Sequence, residues 1–80
     1  MAERVTVLSR TGCHLCEDLI AELEPFCGRR SVGLDVVDVD SDPELASRYG
    51  QRIPVVLVDR REVCEVRLDE EALLRALGGH

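Results

Sequence analysis

Eighty residues, 45% of them apolar and 32% charged, have room for one small-cored domain spanning 1–80. A net charge of −6, ten arginines without a single lysine, and only Phe26 and Tyr49 as aromatics exclude a phosphate-seeking, base-stacking surface, so nucleic acid is not an expected partner. No apolar run approaches a membrane span and no basic-then-apolar leader precedes the first strand, so no membrane partner and a cytoplasmic location are expected.

The first predicted element is a strand over 4–8, the β-prone run Val5-Thr6-Val7-Leu8. Behind it, Cys13-His14-Leu15-Cys16 opens a helix predicted over 14–26. Cysteines three residues apart at a helix start can bring their sulfurs within disulfide distance, and the first faces unpaired backbone N–H groups that favour a thiolate. Bare C-x-x-C also serves zinc sites. After a strand and before a helix, in a compartment where structural disulfides are rare, it points to a redox dithiol. Cys16, Leu19, Ile20, Leu23, Phe26 and Cys27 recur at helical spacing and form the buried stripe, while Glu17, Asp18, Glu22 and Glu24 face water. Pro25 predicts a distorted last turn or a stop near Glu24, with Gly28 as the exit.

A strand over 34–39 follows, then a helix over 42–49 with N-cap candidates in Asp40-Ser41-Asp42 and a proline at an early helical position. Val55-Val56-Leu57-Val58, in a strand over 54–59, is apolar without interruption and predicts a central strand covered on both faces. Asp59-Arg60-Arg61-Glu62 turns it into a strand over 62–67, and a helix over 69–77 closes the chain with Leu73, Leu74 and Leu77 inward. The pattern is α/β: a four-stranded mixed sheet flanked by three helices. The first β-α-β unit should carry parallel strands with a right-handed crossover.

In this order, β-α-β-α-β-β-α, the chain resembles the thioredoxin fold. Within that fold, Ser9-Arg10-Thr11-Gly12-Cys13-His14-Leu15-Cys16 and Arg52-Ile53-Pro54-Val55-Val56-Leu57-Val58-Asp59 are similar to glutaredoxins, and closest to short bacterial glutaredoxin-like proteins with a C-H-L-C dithiol. The resemblance implies a cis-proline at Pro54, whose preceding residue, Ile53, pairs with the bound thiol partner like an added strand. It implies electron transport by thiol–disulfide exchange, with Cys13 as the attacking and Cys16 as the resolving thiol of a redox-active centre. Around them it places Arg10, His14, Leu15, Arg52, Ile53, Pro54 and Asp69 as substrate-binding residues. Arg48 joins Arg10 and Arg52 as a group able to face the glycine carboxylate of glutathione.

The chain departs from that pattern after the last strand. Glutaredoxins carry Gly-Gly there, letting backbone approach the γ-glutamyl group, whereas this chain has Cys64-Glu65. Glutathione remains possible as a co-substrate, with weak use expected, and no resident cofactor or metal is expected. Cys27 and Cys64 are expected to pack as small hydrophobes. A four-thiolate zinc site is excluded if the helix forms, because Cys27 would lie roughly 16 Å along it from Cys16. The expected partner is a disulfide-bearing protein or a small thiol, met by a monomer. The alternatives are a module that holds a thiol partner or bridges an iron–sulfur cluster, and a non-catalytic interaction domain on the same fold.

Overall fold

A computed structural model describes residues 4–78. Its elements are β1 (Arg4–Ser9), α1 (His14–Arg29), β2 (Gly33–Asp38), a 3-10 turn (Val39–Ser41), α2 (Pro43–Tyr49), β3 (Val55–Val58), β4 (Arg61–Glu65) and α3 (Glu70–Ala76). Every predicted element is present, and the shifted boundaries have local causes. Val39 leaves the second strand because the Asp38 carboxylate accepts the Asp40 N–H at 2.8 Å and the Asp38 carbonyl accepts the Ser41 hydroxyl at 2.7 Å, which winds the chain into a turn. Asp42 and Asp69 are caps, not first helical residues. Their carboxylates accept the N–H groups of Glu44 at 2.9 Å and Ala72 at 3.0 Å.

Helix α1 corrects the expectation drawn from Pro25, since it neither stops at Glu24 nor exits at Gly28 but runs to Arg29. Pro25 is exposed, so the carbonyl it leaves without a donor faces the solvent side. The next two residues, Phe26 and Cys27, are buried at 0% and 2% exposure. Burial of an aromatic ring is worth about 2–3 kcal/mol, comparable to the ~3 kcal/mol that proline costs a helix interior, and the packing prevails. Arg30 finishes the helix, lying 3.8 Å from the Phe26 ring centroid and donating to the Phe26 carbonyl at 3.0 Å.

The strand order is β2-β1-β3-β4, with β1 parallel to β2 and antiparallel to β3, and β3 antiparallel to β4. Alternation along β1 sends Val5 and Val7 to one face, where they meet Leu19, Leu23 and Phe26 of α1 and Leu73 of α3. The opposite face gathers Leu8, Val55 and Leu57 with Val39 and Tyr49 in a second, smaller cluster. All four β3 residues are buried, as the uninterrupted apolar run requires. Leu8 pairs with Val55, so the loop leaving β1 and the loop entering β3 emerge at the same end of the sheet.

Candidate active site

Beyond β1 the chain turns through Thr11 and Gly12. The turn is closed by the Cys13 N–H donating to the Arg10 carbonyl at 3.2 Å, with Gly12 at φ 81°, a conformation that glycine adopts without strain. Cys13 then caps α1 in extended backbone (φ −95°, ψ 106°), and its Sγ accepts the Cys16 N–H at 3.2 Å. This is the geometry in which unpaired N–H groups of a first turn stabilise negative charge on sulfur. The two cysteines are joined in a disulfide with Cα atoms 5.2 Å apart. Their accessibility differs: Cys16 is 1% exposed beneath the first turn, whereas Cys13 is only half-buried. Of the two sulfurs, that of Cys13 is therefore the one open to an outside partner.

Leu15 is 55% exposed beside the disulfide. The His14 side chain is 94% exposed with Nδ1 3.7 Å from a Glu17 carboxylate oxygen, so its imidazole is engaged away from the sulfurs, toward Glu17 and solvent.

Across the sheet end lies the second loop, where the Ile53–Pro54 peptide bond is cis. The Pro54 carbonyl accepts the Val66 N–H at 2.7 Å and the Glu65 carbonyl accepts the Arg67 N–H at 2.7 Å, making a three-residue turn centred on Val66 at φ 69°. A β-branched residue in that conformation costs about 1–3 kcal/mol, and strain of this kind concentrates at functional sites. Nothing in the residue type Val signals it, so this turn could not be read from the sequence.

The same loop is tied from within: the Val66 and Arg67 N–H groups are bonded to the Pro54 and Glu65 carbonyls, and the Asp69 carboxylate caps α3. The arginines are occupied too. Arg10 grips Asp40 through two bonds of 2.8 and 3.0 Å and donates to the Gly50 carbonyl at 3.2 Å. A Cβ at position 50 would collide with the Ala46 backbone carbonyl and crowd the guanidinium at 3.1 Å, so glycine suits this position. The hydrogen bonds from Arg10 hold the Asp40 carboxyl below its ordinary range. Arg52 binds both Glu62 and Glu65 and lies 5.4 Å from the Tyr49 ring centroid. Arg48 is not among this group and borders a cleft on the α2 face of the sheet.

Cys27 and Cys64 are free thiols in and beside the main core, and burial pushes both up from the ordinary thiol value. Among the described residues no three His, Cys, Asp or Glu side chains converge as metal ligands would.

The sequence pattern of the glutaredoxin-like domain (DUF836) matches residues 4–78. The chain belongs to that family. An uncharacterised protein of Mycobacterium tuberculosis is 32% identical over 75 residues, covering 88% of this chain and 77% of that protein. The solution structure of a Nitrosomonas europaea protein superimposes with a TM-score of 0.80 at 31% identity, over 91% of this chain and 88% of that one. An X-ray structure from X. campestris gives 0.68 at 32% identity, over 95% and 97% of the two chains. Thioredoxin 1 of Thermosipho africanus, at 12% identity and a TM-score of 0.65 over 95% of this chain and 91% of that one, shares the fold.

As a glutaredoxin-like thioredoxin-fold protein with a Cys13–Cys16 pair, the chain has a redox role in general terms. Of the residues that the family resemblance singled out, the fold brings Cys13, Cys16, Arg10, Ile53 and Pro54 to one end of the sheet, with His14 and Leu15 on the first turn of α1. Glu62 is the partner that sequence reasoning missed. Its signal was available in principle, since Glu62 and Glu65 flank a β4 segment predicted to pair with the strand that Arg52 precedes.

Proposed function

We propose that the protein is a dithiol–disulfide oxidoreductase. In the reduced form the Cys13 thiolate attacks one sulfur of a substrate disulfide, forming a mixed disulfide and expelling the other sulfur as a thiolate, which takes up a proton. Cys16 then loses its proton and attacks the Cys13 sulfur, closing the intramolecular disulfide and releasing the second substrate thiolate. Two electrons pass from the protein dithiol to the substrate, and an external dithiol must return them.

The observation that carries this reading is the asymmetry of the pair: a half-buried sulfur that accepts a helix N-terminal N–H, backed by a buried sulfur already within bonding reach. A module that merely holds a thiol partner or a cluster has no use for the second sulfur. The substrates that fit are disulfides on proteins or small thiols, in a reducing cytoplasm where the pair can cycle.

Glutathione is a poor fit as the co-substrate. The backbone N–H groups of Val66 and Arg67, the Asp69 carboxylate, Arg10 and Arg52 all have partners within the chain, so binding the tripeptide there would break existing bonds before making new ones. The test is turnover of a disulfide substrate with dithiothreitol as reductant. Cys13→Ser is expected to abolish it, and Cys16→Ser to accumulate a mixed disulfide visible by mass spectrometry. Full activity in Cys13→Ser would overturn the assignment.

A further inference from the structure

Helix α2 has seven residues and spans about 10 Å, whereas the six residues of β1 beneath it span about 20 Å. The α2 face of the sheet is therefore incompletely covered, and the gap is a cleft of about 310 Å³. Leu8 and Leu57 form its floor, and Leu45 and Tyr49 of α2 one wall. It extends past Thr6 toward the β3–β4 turn, at the end of the sheet away from the dithiol.

Two arginines also line this largely apolar space, Arg48 in the last turn of α2 and Arg60 in the turn. Among the described residues neither is ion-paired, a state they share with Arg29, Arg30, Arg61 and Arg67, whereas Arg4, Arg10, Arg52 and Arg75 are paired. Asp35, across from Thr6 in register, is held by Arg4 through bonds of 2.8 Å. Asp42 and Glu44 border Arg48 only in a separate, smaller hollow.

Arg60 is also a strained choice. The two turn residues Asp59 and Arg60 have φ values of 48° and 76°, the pattern in which the second position favours glycine. A non-glycine residue there costs about 1–2 kcal/mol. The side chain kept at that cost places a cation at the mouth of an apolar cleft.

We propose that this cleft is a binding site for a small aliphatic carboxylate, its chain on Leu8, Leu45 and Leu57 and its head group between Arg48 and Arg60. The volume lies at the lower end of small-molecule sites, and an apolar lining with a few converging charged groups is their usual composition. Guanidinium groups bind carboxylates through charge-assisted hydrogen bonds. The site shares no residue with the dithiol and does not depend on redox turnover.

Octanoate titrated into the intact, uniformly 15N-labelled protein provides the test. The amides of Thr6, Leu45, Tyr49 and Arg60 should shift saturably while those of Cys13 to Cys16 stay in place. Octylamine, with the same chain and the opposite charge, should leave the cleft amides unmoved. Arg48→Ala and Arg60→Gly should each weaken octanoate by about fivefold or more. Arg60→Gly relieves the turn and should melt higher than the parent, so weaker binding in it cannot be loss of fold. Octylamine matching octanoate, shifts centred on the dithiol, or undiminished affinity in either variant would each overturn the proposal.

Discussion

Cys13 and Cys16 share a side-chain chemistry and differ only in position. Cys13 sits ahead of the first helical N–H groups with its sulfur partly open to solvent, while Cys16 lies under the turn. After reduction, iodoacetamide at neutral pH should alkylate Cys13 first and leave Cys27 and Cys64 unmodified, because burial holds both of those thiols in the neutral form. Fragmentation of the tryptic peptide from Thr11 to Arg29, which carries Cys13, Cys16 and Cys27, reads the order by tandem mass spectrometry, and early labelling of Cys64 would draw it into the mechanism. The raised thiols also predict a pH dependence of stability. Since the folded state retains protons that the unfolded chain releases, the contribution is complete below the ordinary thiol value of 9.0 and is lost as pH rises above it. With no lysine in the chain and the active-site pair oxidised, few other groups titrate there. The fall in Tm from pH 8 to 10 should therefore flatten in a Cys27→Ala, Cys64→Ala variant, and an unchanged slope would show that other groups dominate.

At the scale of elements, α1 shows local propensity and tertiary packing in open conflict. Replacing Pro25 by Ala restores a donor for the Ala21 carbonyl without touching the buried stripe, and should stabilise the fold by about 1–3 kcal/mol in urea titration. A destabilised variant would mean that the proline sets the helix direction needed by Phe26. The example also shows why the sequence was legible in some places and not in others. Periodicity and β-propensity located every element, because the stripe from Cys16 to Cys27 and the run Val55 to Val58 bury the residues that define them. The C-x-x-C motif and Pro54 pointed to one end of the sheet, where the fold brings them together. Helix ends were less legible, since Asp42 and Asp69 read equally well as first helical residues or as caps. The Val66 turn depends on which backbones the fold brings together, which no local pattern encodes, and the pairing of Arg52 with Glu62 and Glu65 follows only once the last two strands are paired.

Over the whole molecule, charge decides how a partner reaches the dithiol. The net charge is −6, Glu17 and Asp18 follow the pair, and two of the cations at that end, Arg10 and Arg52, are already neutralised by carboxylates. An approaching anionic disulfide thus meets a net repulsive field, offset only in part by the exposed Arg67 beside Val66, whereas a cationic one is drawn in. Oxidation of the reduced protein by three small disulfides should follow the order cystamine, then hydroxyethyl disulfide, then glutathione disulfide. Because the effect is long-range, the spread should narrow markedly between 10 mM and 1 M salt, where the screening length falls from about 30 Å to about 3 Å. Stopped-flow rates corrected for the leaving-group pKa of each thiol measure it. If glutathione disulfide reacted fastest at low salt, a specific site for the tripeptide would have to outweigh the field, and the closed loop around Val66 would have to open to provide it.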